Sequence, residues 1–346
     1  MKIKISYLII IPITIIIGLE IFLRFVISMP STQQYDSKLG YTNIPYSEFI
    51  ESHEGYSKTT FNSLGFNDFE PDDKLDRKIF VIGDSYTEAF QVDKSVSFTS
   101  ILENLISDQS TDVIKLARDS FMPFHYPVLS DRYYDRFKPE VTIVQFASHT
   151  VSDLYEDNVK LIIDNKGNIS DYTIQASSSD QSKESIRKII NNSALAYYVL
   201  KKYKYLIVQT LDRVKSIVSS NADKKPAIKR ISKKDMPDTD HIKRISYVIS
   251  KIKGPVICMY LPAPSITFEE SQQNNRIRDI VKEASLQSDA AFLDFSDIFR
   301  QYYSTYNKTL NGFSNSKPGS GHLNYRGHEL VARNLHIQLS KMGYIK

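Results

Sequence analysis

Lys78-Ile79-Phe80-Val81-Ile82-Gly83-Asp84-Ser85-Tyr86-Thr87-Glu88-Ala89-Phe90-Gln91-Val92 changes character at its middle. Ile79 to Ile82 is a short, β-branched, apolar run, the signature of a strand buried on both faces. It stops at Gly83, and after Ser85 the spacing turns helical and continues to Leu105. A serine on a sharp strand-to-helix turn holds its hydroxyl clear of the sheet. The helix start beside it offers unpaired N–H groups and positive potential to a developing oxyanion. Taken alone, Gly83-Asp84-Ser85 reads equally as a turn followed by an N-cap, with Asp84 bonded to backbone N–H groups.

Working outward, the strand-then-helix rhythm repeats. Strands are expected at Asp112–Leu116, Val141–Ala147, Val256–Leu261 and Ala291–Leu293. Helices are expected at Ser95–Ile106, Tyr126–Phe137, Glu269–Ser288 and after Asn324. Such alternation implies a parallel sheet covered on both faces, a three-layer α/β fold. Residues 155–240 break the rhythm. They hold an expected hairpin at Val159–Ile174 turning at Asn165-Lys-Gly167, a Ser-rich stretch at 177–182, amphipathic helices near 184–217 and a basic tail. This region reads as an insertion placed to cover the site. The Phe and Tyr residues at 121–137 and 197–205 have helical spacing and read as core before they read as a sugar-stacking platform.

Gly321-His-Leu-Asn-Tyr-Arg-Gly-His-Glu-Leu-Val-Ala-Arg-Asn-Leu335 joins a loop histidine to a capped helix with an apolar stripe at Leu330, Val331, Leu335 and Leu339. Gly-Asp-Ser early and His-Leu-Asn-x-x-Gly-His late, in that order, resemble the SGNH (GDSL-like) hydrolase family over roughly residues 60–346. Phe61-Asn-Ser-Leu-Gly-Phe-Asn-Asp68 is similar to the lead-in of its membrane-anchored bacterial members. The resemblance implies a flavodoxin-like sheet, with Ser85 as nucleophile and His322 as its base. His328 matches the structural histidine at the helix start.

The family usually places an aspartate two or three residues before the base. Those positions are Ser320 and Gly319 here, so the third member of the triad is missing from its expected place. Ser320 is the expected neutral hydrogen-bond partner for the ring, with Asp294 and Asp297 as remoter candidates. The oxyanion donors implied by the resemblance are the N–H groups of Ser85 and Ser120 and, where the family has Asn, the imidazole of His149. Arg118 and Asp119 are loop residues near the mouth, open to substrate or to solvent, and Tyr86 either packs or lines the site.

The composition is that of a globular protein, with 41% apolar and 24% charged residues in 346. A net charge of +4 with interleaved signs gives no footprint for nucleic acid. The single Cys258 sits in an apolar strand, can form no internal disulfide, and reads as core. No phosphate loop or metal-ligand cluster is present in the sequence, so no cofactor is expected. Residues 5–28 are almost wholly apolar after Lys2 and Lys4. That predicts a transmembrane anchor with the N-terminus in the cytoplasm and the large domain periplasmic or otherwise extracytoplasmic. A cleaved signal peptide is the competing reading, against which Val26-Ile-Ser28 is a poor cleavage site. Glu20 and Arg24 interrupt the run at i, i+4 spacing, able to pair or to snorkel.

The expected layout is an anchor over 1–29, a linker and lead-in over 30–76, and an α/β domain over 77–346 with the insertion at about 155–240. The expected function is that of a serine-dependent esterase or O-acyl hydrolase or transferase acting on acylated cell-envelope glycans or lipids. The alternative is a catalytically silent protein of the same fold that binds glycan or aids envelope assembly.

Overall fold

The computed structural model describes residues 5–25, 33–106, 110–155, 158–174, 193–196, 198–199, 237–263, 268–317 and 319–345. The chain divides into two compact units, residues 1–33 with 176–231 and residues 34–175 with 232–346.

The second unit is built on a parallel sheet of five strands: β5 (Arg77–Gly83), β6 (Thr111–Ala117), β7 (Val141–Ala147), β10 (Val256–Leu261) and β11 (Ala291–Asp294). Their order across the sheet is β11-β10-β7-β5-β6. Ile79 lies opposite Val113 on one neighbour and Val141 on the other. Because side chains alternate along a strand, each strand feeds both faces. Phe80, Ile82, Ile114, Leu116, Val144, Phe146, Cys258 and Tyr260 enter one core. That core is closed by α4 (Tyr126–Phe137), α6 (Asp238–Ser250) and α7 (Phe268–Gln287). Ile79, Val81, Val113, Ile143, Ile257 and Met259 enter the other. It is closed by α3 (Phe98–Leu105) and α9 (Tyr325–Lys341), with α8 (Ser296–Tyr306) at its border. The expected three-layer α/β arrangement is therefore present. Phe121, Phe124, Tyr126 and Phe137 are buried in the first core, as packing rather than as a sugar platform.

Three features depart from the sequence expectations. The helix after Ser85 is a single turn, α2 (Ser85–Glu88), because Ala89 adopts a left-handed conformation at φ 60° and ends it. One turn has little macrodipole, so the positive potential expected from a long helix is reduced to its individual N–H groups. The lead-in contributes two hairpins, β1 (Gln33–Asp36) with β2 (Gly40–Asn43) and β3 (Glu48–Glu51) with β4 (Ser57–Thr60). Finally, α6 and α8 are complete helices that were not expected, and α6 starts at Asp238, inside the stretch 155–240 read as an insertion. The hairpin β8 (Val159–Ile163) with β9 (Ile169–Ile174) forms as expected, reversing over Asp164–Asn168. A further single turn, α5 (Thr150–Asp153), follows β7. Most of the helical region expected near 184–217 and the Ser-rich stretch lie outside the described residues.

In the first unit α1 (Ile5–Phe25) carries Ile9, Ile10, Ile13, Ile16 and Ile17 exposed. Arg24 pairs with Glu20 at 2.7 Å, and Glu20 also accepts the N–H groups of Ala194 and Leu195 and the hydroxyl of Ser193. The expected transmembrane helix is not found. Among the described residues no helix is long and apolar enough to cross a membrane.

Candidate active site

Ser85 stands at the carboxyl edge of the sheet, immediately beyond β5. The turn is possible because residue 83 has no side chain. A Cβ there would lie 2.3 Å from Thr87 Oγ1 and 2.7 Å from Gln145 Oε1. Gln145 Oε1 accepts both the Asp84 N–H and the Thr87 hydroxyl. Asp84 Oδ1 caps the single turn by accepting the Tyr86 N–H at 2.9 Å. The lead-in motif secures the far end of that turn. Asn67 donates to the carbonyls of Glu88 and Ala89 and accepts from Thr59. Asp68 accepts the Lys115 N–H on β6.

His322 reaches Ser85 from the other end of the chain. Its Nε2 lies 2.9 Å from Ser85 Oγ. The loop that carries it is held from three sides. Gly312 N–H donates to the His322 carbonyl, the Tyr86 hydroxyl donates to the Gly321 carbonyl, and Asn311 donates to the same carbonyl. Asn324 caps α9 through the N–H groups of Arg326 and Gly327. His328 is buried behind the site, where burial first, and then the nearby Lys115 and His322, push its pKa down to about 3. Its Nδ1 accepts the Phe98 N–H, which marks it as a packing histidine.

The acid that the sequence lacks beside His322 comes from the lead-in. Glu54, at the tip of the β3–β4 hairpin, places Oε2 2.6 Å from His322 Nδ1, and its Oε1 accepts the His322 backbone N–H at 2.8 Å. An ionised carboxylate only accepts, so Nδ1 carries the proton and Nε2 presents its lone pair to Ser85. Gly321 makes room for this. At φ +77° it adopts a conformation L side chains avoid, and a Cβ there would lie 2.0 Å from Glu54 Oε1. The hairpin tip is pinned twice. Glu51 accepts the N–H groups of Ser52, His53 and Glu54. Asn315 accepts the Gly55 N–H and donates to the carbonyls of Ser52 and Gly55.

Ser320 does not hold the ring: its hydroxyl donates to the Lys317 carbonyl instead. Asp294 is engaged with the Ser296 N–H and faces Arg278, and exposed Asp297 pairs with Arg300. Neither serves His322. The contact with the ring expected of Ser320 is made by Glu54, because the loop from 319 to 321 turns through two left-handed glycines and leaves the space to the hairpin.

On the oxyanion side, β5 and β6 end in register at Gly83 and Ala117, and Ser120 follows in a left-handed turn at φ 67°. Among the described residues, neither the Ser85 nor the Ser120 backbone N–H makes a hydrogen bond. The turn is braced from beneath by Glu88, which accepts the Asp119 N–H. Glu88 is fully buried, and desolvation lifts its carboxyl to about 8, against the pull of Arg118 and that N–H. Arg118 is itself buried, faces Glu88 and lies over the Phe121 ring, so it backs the turn and is not a solvated mouth residue. His149 follows β7 and stacks on Tyr86 with ring centroids 5.8 Å apart. Its Nε2 lies 2.7 Å from Asp84 Oδ2. Among the described residues no group of three or more His, Cys, Asp and Glu side chains could hold a metal ion.

No protein-family model and no curated protein matches the chain. Solved structures similar to it include TesA, at 8% identity and TM-score 0.42, covering 77% of this chain and 99% of that one. A psychrotrophic esterase from Pseudoalteromonas sp. matches at 9% identity and TM-score 0.39, over 77% of this chain and 98% of its own. A lipolytic protein of the G-D-S-L family from Desulfitobacterium hafniense matches at 12% identity and TM-score 0.39, over 76% and 99%. Identity and superposition are low throughout, so the chemistry is read from this chain's own atoms. In its Gly-Asp-Ser turn, its His-Leu-Asn loop and the order in which they meet, the chain resembles an SGNH (GDSL-like) hydrolase.

Proposed function

We propose that this protein is a serine-dependent esterase or O-acyl transferase whose reacting groups are Ser85, His322 and Glu54. The observation that carries the reading is the unbroken line Ser85 Oγ, His322 Nε2, His322 Nδ1, Glu54 Oε2, with links of 2.9 and 2.6 Å between residues 237 and 268 positions apart in sequence. In this reading Ser85 Oγ attacks the ester carbonyl carbon while its proton passes to His322 Nε2. Glu54 holds the ring in the tautomer that can accept it and stabilises the imidazolium that forms. The carbonyl oxygen becomes an oxyanion facing the N–H groups of Ser85 and Ser120 and the His149 ring. Collapse expels the alcohol, which takes the proton back from His322. The acyl-serine then passes its acyl group to water or to an acceptor hydroxyl by the same steps reversed.

The silent-protein alternative rested on altered residues at the acid position and at both oxyanion positions, and Glu54 supplies a carboxylate for the first of these. Acylated cell-envelope glycans or lipids are the substrate class we propose. They are suggested by the family resemblance. The exposed isoleucines of α1 support contact with a membrane. A serine-directed fluorophosphonate should label Ser85 and fail on Ser85→Ala. An unlabelled wild-type chain would return the reading to a binding protein.

A further inference from the structure

The two histidines at this site are held in opposite ways. His322 meets its carboxylate through Nδ1 and turns Nε2 toward Ser85. His149 meets its carboxylate, Asp84, through Nε2, and among the described residues its Nδ1 has no partner. The buried Tyr86 ring touches both, with centroids 5.4 Å from His322 and 5.8 Å from His149. Asp84 serves two partners at once, Oδ1 taking the Tyr86 N–H and Oδ2 taking His149. A neutral imidazole has one N–H. With that proton given to Asp84, a neutral His149 would turn a lone pair outward at Nδ1 and would repel an oxyanion. It can replace an asparagine amide as a donor only when both nitrogens are protonated.

We infer that His149 acts as an imidazolium, with Asp84 as its fixed counter-ion, so that the oxyanion is met by a full positive charge where an amide would offer only a dipole. This rests on the hydrolase reading and assigns Asp84 a positioning role beyond shaping the turn. Three carboxylates favour the cation. Asp84 reaches the ring from the β5–α2 turn, Asp153 stands 3.7 Å away on α5, and Asp119 acts from the β6 loop. Tyr86, the titratable group stacked on the ring, is kept neutral by its burial. Burial pulls the His149 ring toward neutrality, but the hydrogen bond and charge of Asp84, helped by Asp153 and Asp119, outweigh it and hold its pKa at about 9. The site would then pair a charged donor with a neutral base, two copies of one residue type set apart by which nitrogen the carboxylate takes.

The sign follows directly. A raised pKa keeps the cation below about pH 9 and loses it above. The Ser85-dependent rate, taken as wild type minus Ser85→Ala, should therefore fall about tenfold per pH unit above that point. In Asp84→Asn the Asn oxygen can still cap Tyr86 while the counter-ion is gone, so the fall should begin at lower pH. In His149→Asn an amide dipole replaces the charge and no longer titrates, so the rate should drop at neutral pH and then run flat through pH 9. His149→Ala should lose about 10²–10³-fold at neutral pH. A nitrogen-15 NMR titration of the full chain in detergent reads the charge without catalysis, and should show both His149 nitrogens protonated at pH 7.5. A neutral His149 at that pH overturns the inference. So does a Ser85-dependent rate whose alkaline limb is unmoved in His149→Asn, a result that leaves the hydrolase reading standing. Absence of any Ser85-dependent rate overturns both, because an imidazolium beside an inert serine stabilises no oxyanion.

Discussion

Glu54→Gln tests whether the hairpin supplies the third member of the triad. The carboxylate makes two hydrogen bonds to one residue, at 2.6 Å to the ring and 2.8 Å to the backbone N–H. A glutamine can keep the backbone bond through its oxygen, which leaves its NH₂ facing Nδ1. A donor there favours the tautomer with the proton on Nε2, the wrong form for taking the Ser85 proton. Loss of the correct tautomer in serine hydrolases costs up to about 10⁴ in kcat, or ~5.4 kcal/mol of transition-state stabilisation. Glu54 is about one-fifth exposed, which leaves room for water to substitute partly, so a loss of about 10³-fold is expected. The assay is steady-state hydrolysis of p-nitrophenyl acetate by the purified full chain, with Ser85→Ala as background and circular dichroism to confirm folding. The variant should lose kcat with little change in KM. A folded Glu54→Gln with the wild-type kcat would refute the assignment.

Four shorter tests follow from the same atoms. Gly321→Ala should cut kcat nearly as far as Glu54→Gln, since its Cβ would occupy the Glu54 carboxylate position; a normal rate would mean the carboxylate is not needed there. Asn315→Ala removes three hydrogen bonds from the hairpin tip and should lower both kcat and thermal stability, with a partial return in Asn315→Asp, which keeps the acceptor for the Gly55 N–H. Glu88→Gln should gain on wild type in urea unfolding as pH rises from about 4.5 to about 8, by up to about 1.4 kcal/mol per pH unit. The buried wild-type carboxyl keeps its proton up to about 8 while the unfolded one loses it near 4.5, so wild-type stability falls across that window; a pH-independent difference would sink the argument. Cys258, its thiol pushed up to about 12 by burial, should resist a thiol reagent until the protein is denatured, and fast labelling of the native chain would contradict its place in the core.

The sheet was legible because buried parallel strands are written as contiguous apolar runs, and β5, β7 and β10 have such runs in full. The Ser85–His322 contact was legible from two motifs read as a pair. Glu54 was not, because its role exists only in three dimensions. It lies in a polar hairpin with no periodicity, 268 positions from its partner. The signals that could have led to it were indirect: glycines at 319 and 321 where an acid was expected, and a Glu-Gly pair at the tip of a short hairpin. Ser320 looked suitable by position along the chain, but a left-handed glycine on each side turns its hydroxyl back to Lys317. The expected long helix after Ser85 failed at Ala89, whose left-handed φ no local pattern announces. Asp84 shapes the turn as its neighbours in sequence imply, but no local pattern announces that its second oxygen meets His149.

The hairpin that carries Glu54 also redraws where the working part of this protein begins. The α/β rhythm starts at residue 77, and a fragment cut there would keep all five strands of the sheet together with Ser85 and His322. It would nevertheless leave behind the carboxylate that meets His322 Nδ1. Of the three residues, the acid is made first during synthesis and the base last. A growing chain therefore holds its acid and its nucleophile long before it has a base. On the proposed reading, Ser85 remains an ordinary alcohol until α9 folds and brings His322 between it and Glu54.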